Sequence, residues 1–239
     1  MTRRRLTETL REGGLSAVIR RVHSGLIFRY HEVYNIKFDH KHEIDTRTSV
    51  ALETLNFTHP NKAHAVDYEP TPIKLIEKFL ESAQSANTER TFIDLGCGKG
   101  RVLIKAAELG FKRLIGVEFA EDIASSAREN LDRALKPGLD VSWTILSEDA
   151  TAFRPPENDL VIFLYNPFAE PVVEKVADWI EAHIARGYAV DVIYYNSQCR
   201  KIFDSRTCLR EVPFSRMVQL NLKFLSWHRA AKYDSETGS

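Results

Sequence analysis

The residues best placed to do chemistry are Asp94-Leu-Gly96-Cys97-Gly98-Lys99-Gly100-Arg101. Glycines at alternate positions let a backbone turn tightly and approach a bound group closely. A phosphate-binding dinucleotide loop follows GxGxxG/A, which requires a small residue at position 101; Arg101 stands there instead. Asp94 lies two residues before the first glycine, where its carboxylate would repel a pyrophosphate and attract a cation. Glu118 follows at about the distance at which an acid accepts hydrogen bonds from ribose hydroxyls. Asp149, within Ser147-Glu-Asp-Ala150, can accept from an adenine amino group. A ligand with an ammonium, a sulfonium and an adenosine fits these charges, and S-adenosylmethionine (SAM) carries all three.

Such a loop needs strands and helices to hold it. Thr71-Pro72 opens a helix, with Thr as cap and Pro at the first helical position. Ile73, Ile76, Phe79, Leu80 and Ala83 recur at helical spacing, and Asn87 can close it. Thr91–Leu95, Leu114–Glu118, Val141–Leu146, Asp159–Tyr165 and Tyr188–Tyr195 read as strands. Helices are predicted over Arg101–Leu109, around Ile123–Leu131 and over Val172–Ile184. Val218–Phe224 alternates strictly and should form a hairpin with Leu209–Val212. Strands alternating with helices imply a mostly parallel sheet covered by helices. The expectation is an α/β chain: a Rossmann-like, seven-stranded sheet with an antiparallel C-terminal hairpin over 71–239. Residues 1–70 form a helical or irregular extension ahead of it.

Residues 91–150 resemble the class I SAM-dependent methyltransferases. The Asp-x-Gly-x-Gly-x-Gly loop, the acid after strand two and the acid after strand three all match in order. A wider resemblance runs through Phe38-Asp-His-Lys-His-Glu-Ile-Asp-Thr46, Tyr68-Glu-Pro-Thr71, Tyr165-Asn-Pro-Phe168 and Tyr194-Tyr-Asn196. It is to a family of bacterial proteins described as class I methyltransferases. Tyr-x-Pro-Thr also resembles protein-lysine methyltransferases of the Dot1-like type. These resemblances imply a SAM site formed by Tyr68, Thr71, Asp94, Gly96, Cys97, Gly98, Gly100, Arg101, Glu118, Phe119, Asp149 and Ala150.

Asn166-Pro167-Phe168 is similar to the (Asp/Asn/Ser)-Pro-Pro-(Tyr/Phe) motif of amino methyltransferases, short by one proline. The resemblance implies that Asn166 and a backbone carbonyl accept from an amine while Phe168 stacks on a planar group. An Asn-Pro turn with Phe168 as a core lid is the structural alternative. The acceptor expected is a protein amino group or a small molecule. A non-catalytic binding module on the same fold competes with the enzyme. A nicotinamide oxidoreductase is disfavoured by Arg101.

Composition bounds the rest. The 239 residues hold 33 basic and 33 acidic side chains, which argues against a duplex-wrapping protein without excluding nucleic acid. At 44% hydrophobic and 28% charged, the chain is globular rather than disordered. Cys97, Cys199 and Cys208 show no metal spacing and fit a reducing cytoplasm. The basic start Met1–Arg5 is not followed by a secretory apolar core, and no run spans a bilayer. Leu6–Val22 reads as a basic amphipathic helix packing on its own domain. His40, His42, Glu43 and Asp45 read as a polar lid over the pocket rather than a metal site, and Lys99 and Arg101 as solvated side chains at the loop rim.

Overall fold

A computed structural model describes residues 3–50, 70–83, 88–165, 168–213 and 225–230. In chain order the elements are α1 (Arg3–His42), α2 (Ile73–Ala83), β1 (Thr91–Leu95), α3 (Arg101–Glu108), β2 (Arg113–Glu118), α4 (Glu121–Ala134) and β3 (Ser142–Ser147). There follow β4 (Leu160–Tyr165), α5 (Glu170–Ala185), β5 (Val190–Tyr195), α6 (Arg200–Asp204), β6 (Leu209–Glu211) and β7 (Leu225–Ala230). The sheet order is β3-β2-β1-β4-β5-β7-β6. The first five strands are parallel, and β7 runs antiparallel to both β5 and β6. The chain leaves β1 outward through β2 and β3, then returns to β4 on β1's other side. That reversal opens a crevice beyond the carboxyl ends of β1 and β4, where ligands bind in open α/β sheets.

Strand alternation builds two cores. Phe92, Val161, Phe163 and Ile193 face α2, α3 and α4, while Ile93, Leu95, Ile162, Leu164 and Val192 face α5. Strands β1 and β4 are apolar on both faces because both are covered. The register places Leu95 beside Val117 and Leu164, so the ends of the central strands are level.

Three features depart from the sequence reading. The extension is one continuous helix to His42, although Gly13-Gly14 and the scattered apolar residues hide its periodicity. Its end packs on the domain: Phe38 and Ile44 join the core with α2 and α3. Val218–Phe224 lies outside the described residues, and the long antiparallel strand described is Leu225–Ala230. There Ser226 and His228 are buried beside Trp227, so polar residues conceal a covered strand. At α2, the Ile73 N–H donates to Asn35 Oδ1 from α1 at 3.1 Å, so a distant asparagine meets the donor assigned to a local threonine cap.

Gly116, inside β2, has no room for a side chain: an added Cβ would stand 2.6 Å from Ile145 Cδ1 and 2.7 Å from both Cys97 Sγ and Leu103 Cδ1. Gly116→Ala is expected to destabilise the fold by about 1–3 kcal/mol. In urea unfolding the midpoint should fall while the slope stays constant.

Candidate active site

The loop after β1 is held by its own backbone. The N–H groups of Gly96 and Cys97 both donate to the Val117 carbonyl, at 2.8 and 3.1 Å, and Gly100 N–H closes a turn onto the Cys97 carbonyl at 2.9 Å. Gly96, Gly98 and Gly100 sit at φ +77°, +53° and +83°, the left-handed region that glycine enters without strain. Gly100 also lies against α4, where a Cβ would meet Leu131 Cδ1 at 2.4 Å. Cys97 is buried and fills the space above Gly116. Burial, with the charges of Asp94 and Glu118, pushes its thiol well up, so it is a packing residue rather than a nucleophile.

Two carboxylates meet at this loop, and both are buried: Asp94 is 2% exposed and Glu118 6%. Glu118 Oε2 accepts from Gly98 N–H and Oε1 from Ala120 N–H, each at 3.1 Å. Burial raises its pKa, and the N–H groups of Ala120, Gly98 and Phe119 oppose the rise. Asp94 has no such support. Its Oδ2 is buried without a hydrogen-bond partner, and burial together with the Glu118 charge holds its pKa well above the usual carboxylate range. An unpaired buried carboxylate oxygen beside a second carboxylate favours a cation or a proton at that position.

The other expected site residues fall in different places. Asp149 is half-buried after β3; its Oδ1 accepts from Thr151 N–H at 2.7 Å, which shapes the turn below the adenine position. Ala150 is buried in the α5-side core, leaving its backbone for any ligand contact. Phe119 is half-buried, adjacent to Glu118. Phe168 is half-buried and packs against the α5-side core. Tyr68, Asn166 and Pro167 lie outside the described residues.

Lys99 and Arg101 are not solvated. Lys99 Nζ pairs with Asp45 Oδ2 at 3.1 Å, and Arg101 is 2% exposed. The Arg101 guanidinium donates to Thr46 Oγ1, to the Thr71 carbonyl and to Asp39 Oδ1. Its named partners lie in the N-terminal segment and just before α2. The expected lid residues are likewise engaged: His42 Nε2 bonds Glu108 Oε1 at 2.9 Å, and Asp45 holds Lys99 and Thr48.

Sequence reasoning passed over an aromatic wall. Tyr165 and Tyr195 end β4 and β5, stand opposite each other in register, and meet at a tilt of 42° with 4.8 Å between centroids; the ring of Phe79 in α2 lies 5.2 Å from that of Tyr195. The available signal was that two adjacent parallel strands both end in tyrosine. Asp39 and Thr46 stood in the Phe38–Thr46 motif without an assigned role, and Asn130 gave no signal of its own.

The sheet order and this loop are similar to those of class I, SAM-binding methyltransferase domains. Residues 92–187 match the family described as "Methyltransferase domain". A protein-lysine N-methyltransferase of Saccharolobus islandicus is 36% identical over 69 residues, covering 28% of this chain and 42% of that protein. A ribosomal protein L11 methyltransferase of Agathobacter rectalis is 37% identical over 59 residues, covering 25% and 17%. A structure described as a predicted N6-adenine-specific DNA methylase from Listeria monocytogenes superposes with a TM-score of 0.50 at 14% identity, covering 67% of this chain and 51% of that one. The chain thus spans less than half the length of these curated relatives. No described helix is long and apolar enough to cross a membrane.

A carboxyl whose folded pKa is raised adds stability below its unfolded pKa and loses it as pH rises through the folded value. The ligand-free protein should therefore lose stability from about pH 4 upward, where the unfolded chain releases the proton that folded Asp94 retains, and level off above the raised folded pKa. Asp94→Asn removes that loss. Thermal melts at neutral pH should show a Tm higher by about 2–4 °C per kcal/mol recovered, with SAM no longer shifting it.

Proposed function

We propose that the chain is a SAM-dependent methyltransferase acting on an amino nitrogen of a protein or a small molecule. The observation that carries this reading is the unpartnered Asp94 carboxylate at the topological switch point, next to Glu118. Asp94 accepts from the ligand's ammonium. Gly96, Cys97, Gly98 and Gly100 line its amino-acid part with backbone. Glu118 accepts from the ribose hydroxyls, Phe119 and Ala150 border the base, and Asp149 accepts from the adenine amino group. By resemblance, Tyr68 and Thr71 of the segment before α2 join the same set of ligand contacts. When bound, SAM supplies an electrophilic methyl carbon on a sulfonium whose sulfur leaves as a neutral thioether.

The protein's task is then alignment and exclusion of water. Asn166 directly follows Tyr165, the last residue of β4, in the chain and itself lies outside the described residues. Its side-chain oxygen and the Pro167 carbonyl accept from an amine and aim the nitrogen lone pair. The Tyr165–Tyr195 pair offers an apolar wall for the acceptor's alkyl part. A nitrogen acceptor is supported by the Asn166-Pro167-Phe168 motif and by the lysine-methylating relative. The packing of Phe168 against the core favours a second reading, in which this motif is a turn and the chain binds SAM without turnover. Three unbridged cysteines support a reducing, cytoplasmic setting.

Calorimetry with SAM and S-adenosylhomocysteine tests the site. Both should bind, and Glu118→Ala should weaken each by about 2–4 kcal/mol through lost charge-assisted hydrogen bonds. Labelled SAM with a lysate tests turnover. Label should enter protein or small-molecule amines, and Asn166→Ala should lower that rate about 10²-fold at unchanged SAM affinity. Binding without any transfer would favour the non-catalytic module, and absence of binding would remove the assignment.

A further inference from the structure

We propose that residues 39–46, at and beyond the end of α1, are a working part of the ligand site, with Asp39 and Arg101 as positioning residues for the glycine loop. The inference rests on the SAM reading of that loop and extends it to a segment outside the matched stretch 92–187.

Helix α1 ends in a tight reversal. Ile44 N–H donates to the Asp39 carbonyl at 3.0 Å and Glu43 N–H to the His40 carbonyl at 3.4 Å. Glu43 takes φ +57°, a conformation disfavoured for any residue with a Cβ. This paired closure of a helix end points the following residues back along the helix. The turn brings Thr46 onto the Asp39 side chain: Thr46 N–H donates to Oδ2 at 3.0 Å, and its hydroxyl donates to Oδ1 at 2.6 Å.

That assembly holds Arg101. Its Nε donates to Thr46 Oγ1 at 2.7 Å, Nη1 to the Thr71 carbonyl at 3.2 Å and Nη2 to Asp39 Oδ1 at 3.3 Å. Arg101, Asp39, Thr46 and Thr71 are all buried. The guanidinium is therefore fixed by geometry as well as by charge. Arg101 directly follows Gly100, the left-handed residue at the start of α3, which has no side-chain cap. A second tie lies one residue away. Asn130 Nδ2 donates to the carbonyls of Lys99 and Asp45 at 3.0 and 3.2 Å, and Lys99 Nζ pairs with Asp45. At the near end of the loop, Gly96 and Cys97 hang from Val117, and Gly98 from Glu118. The far end, 99–101, is tied to 39–46. The arginine that departs from the dinucleotide pattern thus has a specific partner, and the Phe38–Thr46 motif has a specific task.

The test uses the full chain. Asp39→Asn is compared with Asp191→Asn, which breaks another buried carboxylate cluster, with Arg90, Arg229 and Trp227, at the opposite end of β5. Isothermal calorimetry well below both melting temperatures reads SAM and S-adenosylhomocysteine affinity, and amide hydrogen exchange reads residues 96–101. Asp39→Asn should weaken both ligands tenfold or more and speed exchange across 96–101, whereas Asp191→Asn should do neither. Thr46→Val, which removes the hydroxyl Arg101 donates to, gives the same readings if Asp39→Asn fails to fold. Wild-type affinity and exchange in the Asp39 or Thr46 variant would overturn the proposal. If the wild-type protein binds neither ligand, the SAM reading falls, and loop exchange alone decides whether 39–46 holds the loop.

Discussion

A buried carboxylate without a partner governs this molecule. Taking an ionised group out of water costs far more than a lost hydrogen bond, so folded proteins pair it, solvate it or leave it protonated. Asp94 lies near the end of β1, flanked in register by Gly116 and Phe163, and the charge that acts on it is another acid, Glu118. The sheet around it is apolar on both faces and can absorb such a cost. A cation placed against such a group would meet a carboxylate already stripped of water, which strengthens their attraction.

The loop translates that electrostatic demand into shape. Its glycines occupy left-handed backbone without strain, and Gly116 beneath lets Cys97 and the loop lie close to β2. Glu118 serves two purposes: it accepts from the loop at Gly98 and from the start of α4 at Ala120. The acid suited to a ribose is thus also a brace between two elements of the site. Its own backbone donors oppose the rise in its pKa that burial causes, in contrast to Asp94.

The sheet and the loop were legible in the sequence because both rest on local signals. Apolar runs such as Leu160–Tyr165 mark covered strands, and the glycine spacing after Asp94 has few other uses. The extension was not legible. Gly13, Gly14 and Gly25 interrupt the helical pattern of α1, and nothing near Asp39 in sequence indicates Arg101, 62 residues on. Trp227 and His228 were missed for a related reason. Their strand is buried, but its polar members are matched by distant partners, His228 by Asp204 and Trp227 by Asp191. Long-range polar pairing leaves no periodic trace, so it was invisible until the elements were placed.

Asp191 and Asp94 together separate structure from function. Both are aspartates on central parallel strands of one sheet, and both are buried. Asp191 lies near the start of β5 and receives Arg90, Arg229 and the Trp227 indole N–H, which is how a buried charge is retained for stability. Asp94 lies near the end of β1 and its Oδ2 receives nothing; among the described residues it is the one buried carboxylate oxygen without a partner. Residue type and burial are the same, so neither explains the difference. Position does: the amino ends of the strands close on the protein itself, while the carboxyl ends open onto the crevice. A charge left unmatched at the closed end would be a defect, whereas at the open end it is met by a proton or by a cationic ligand.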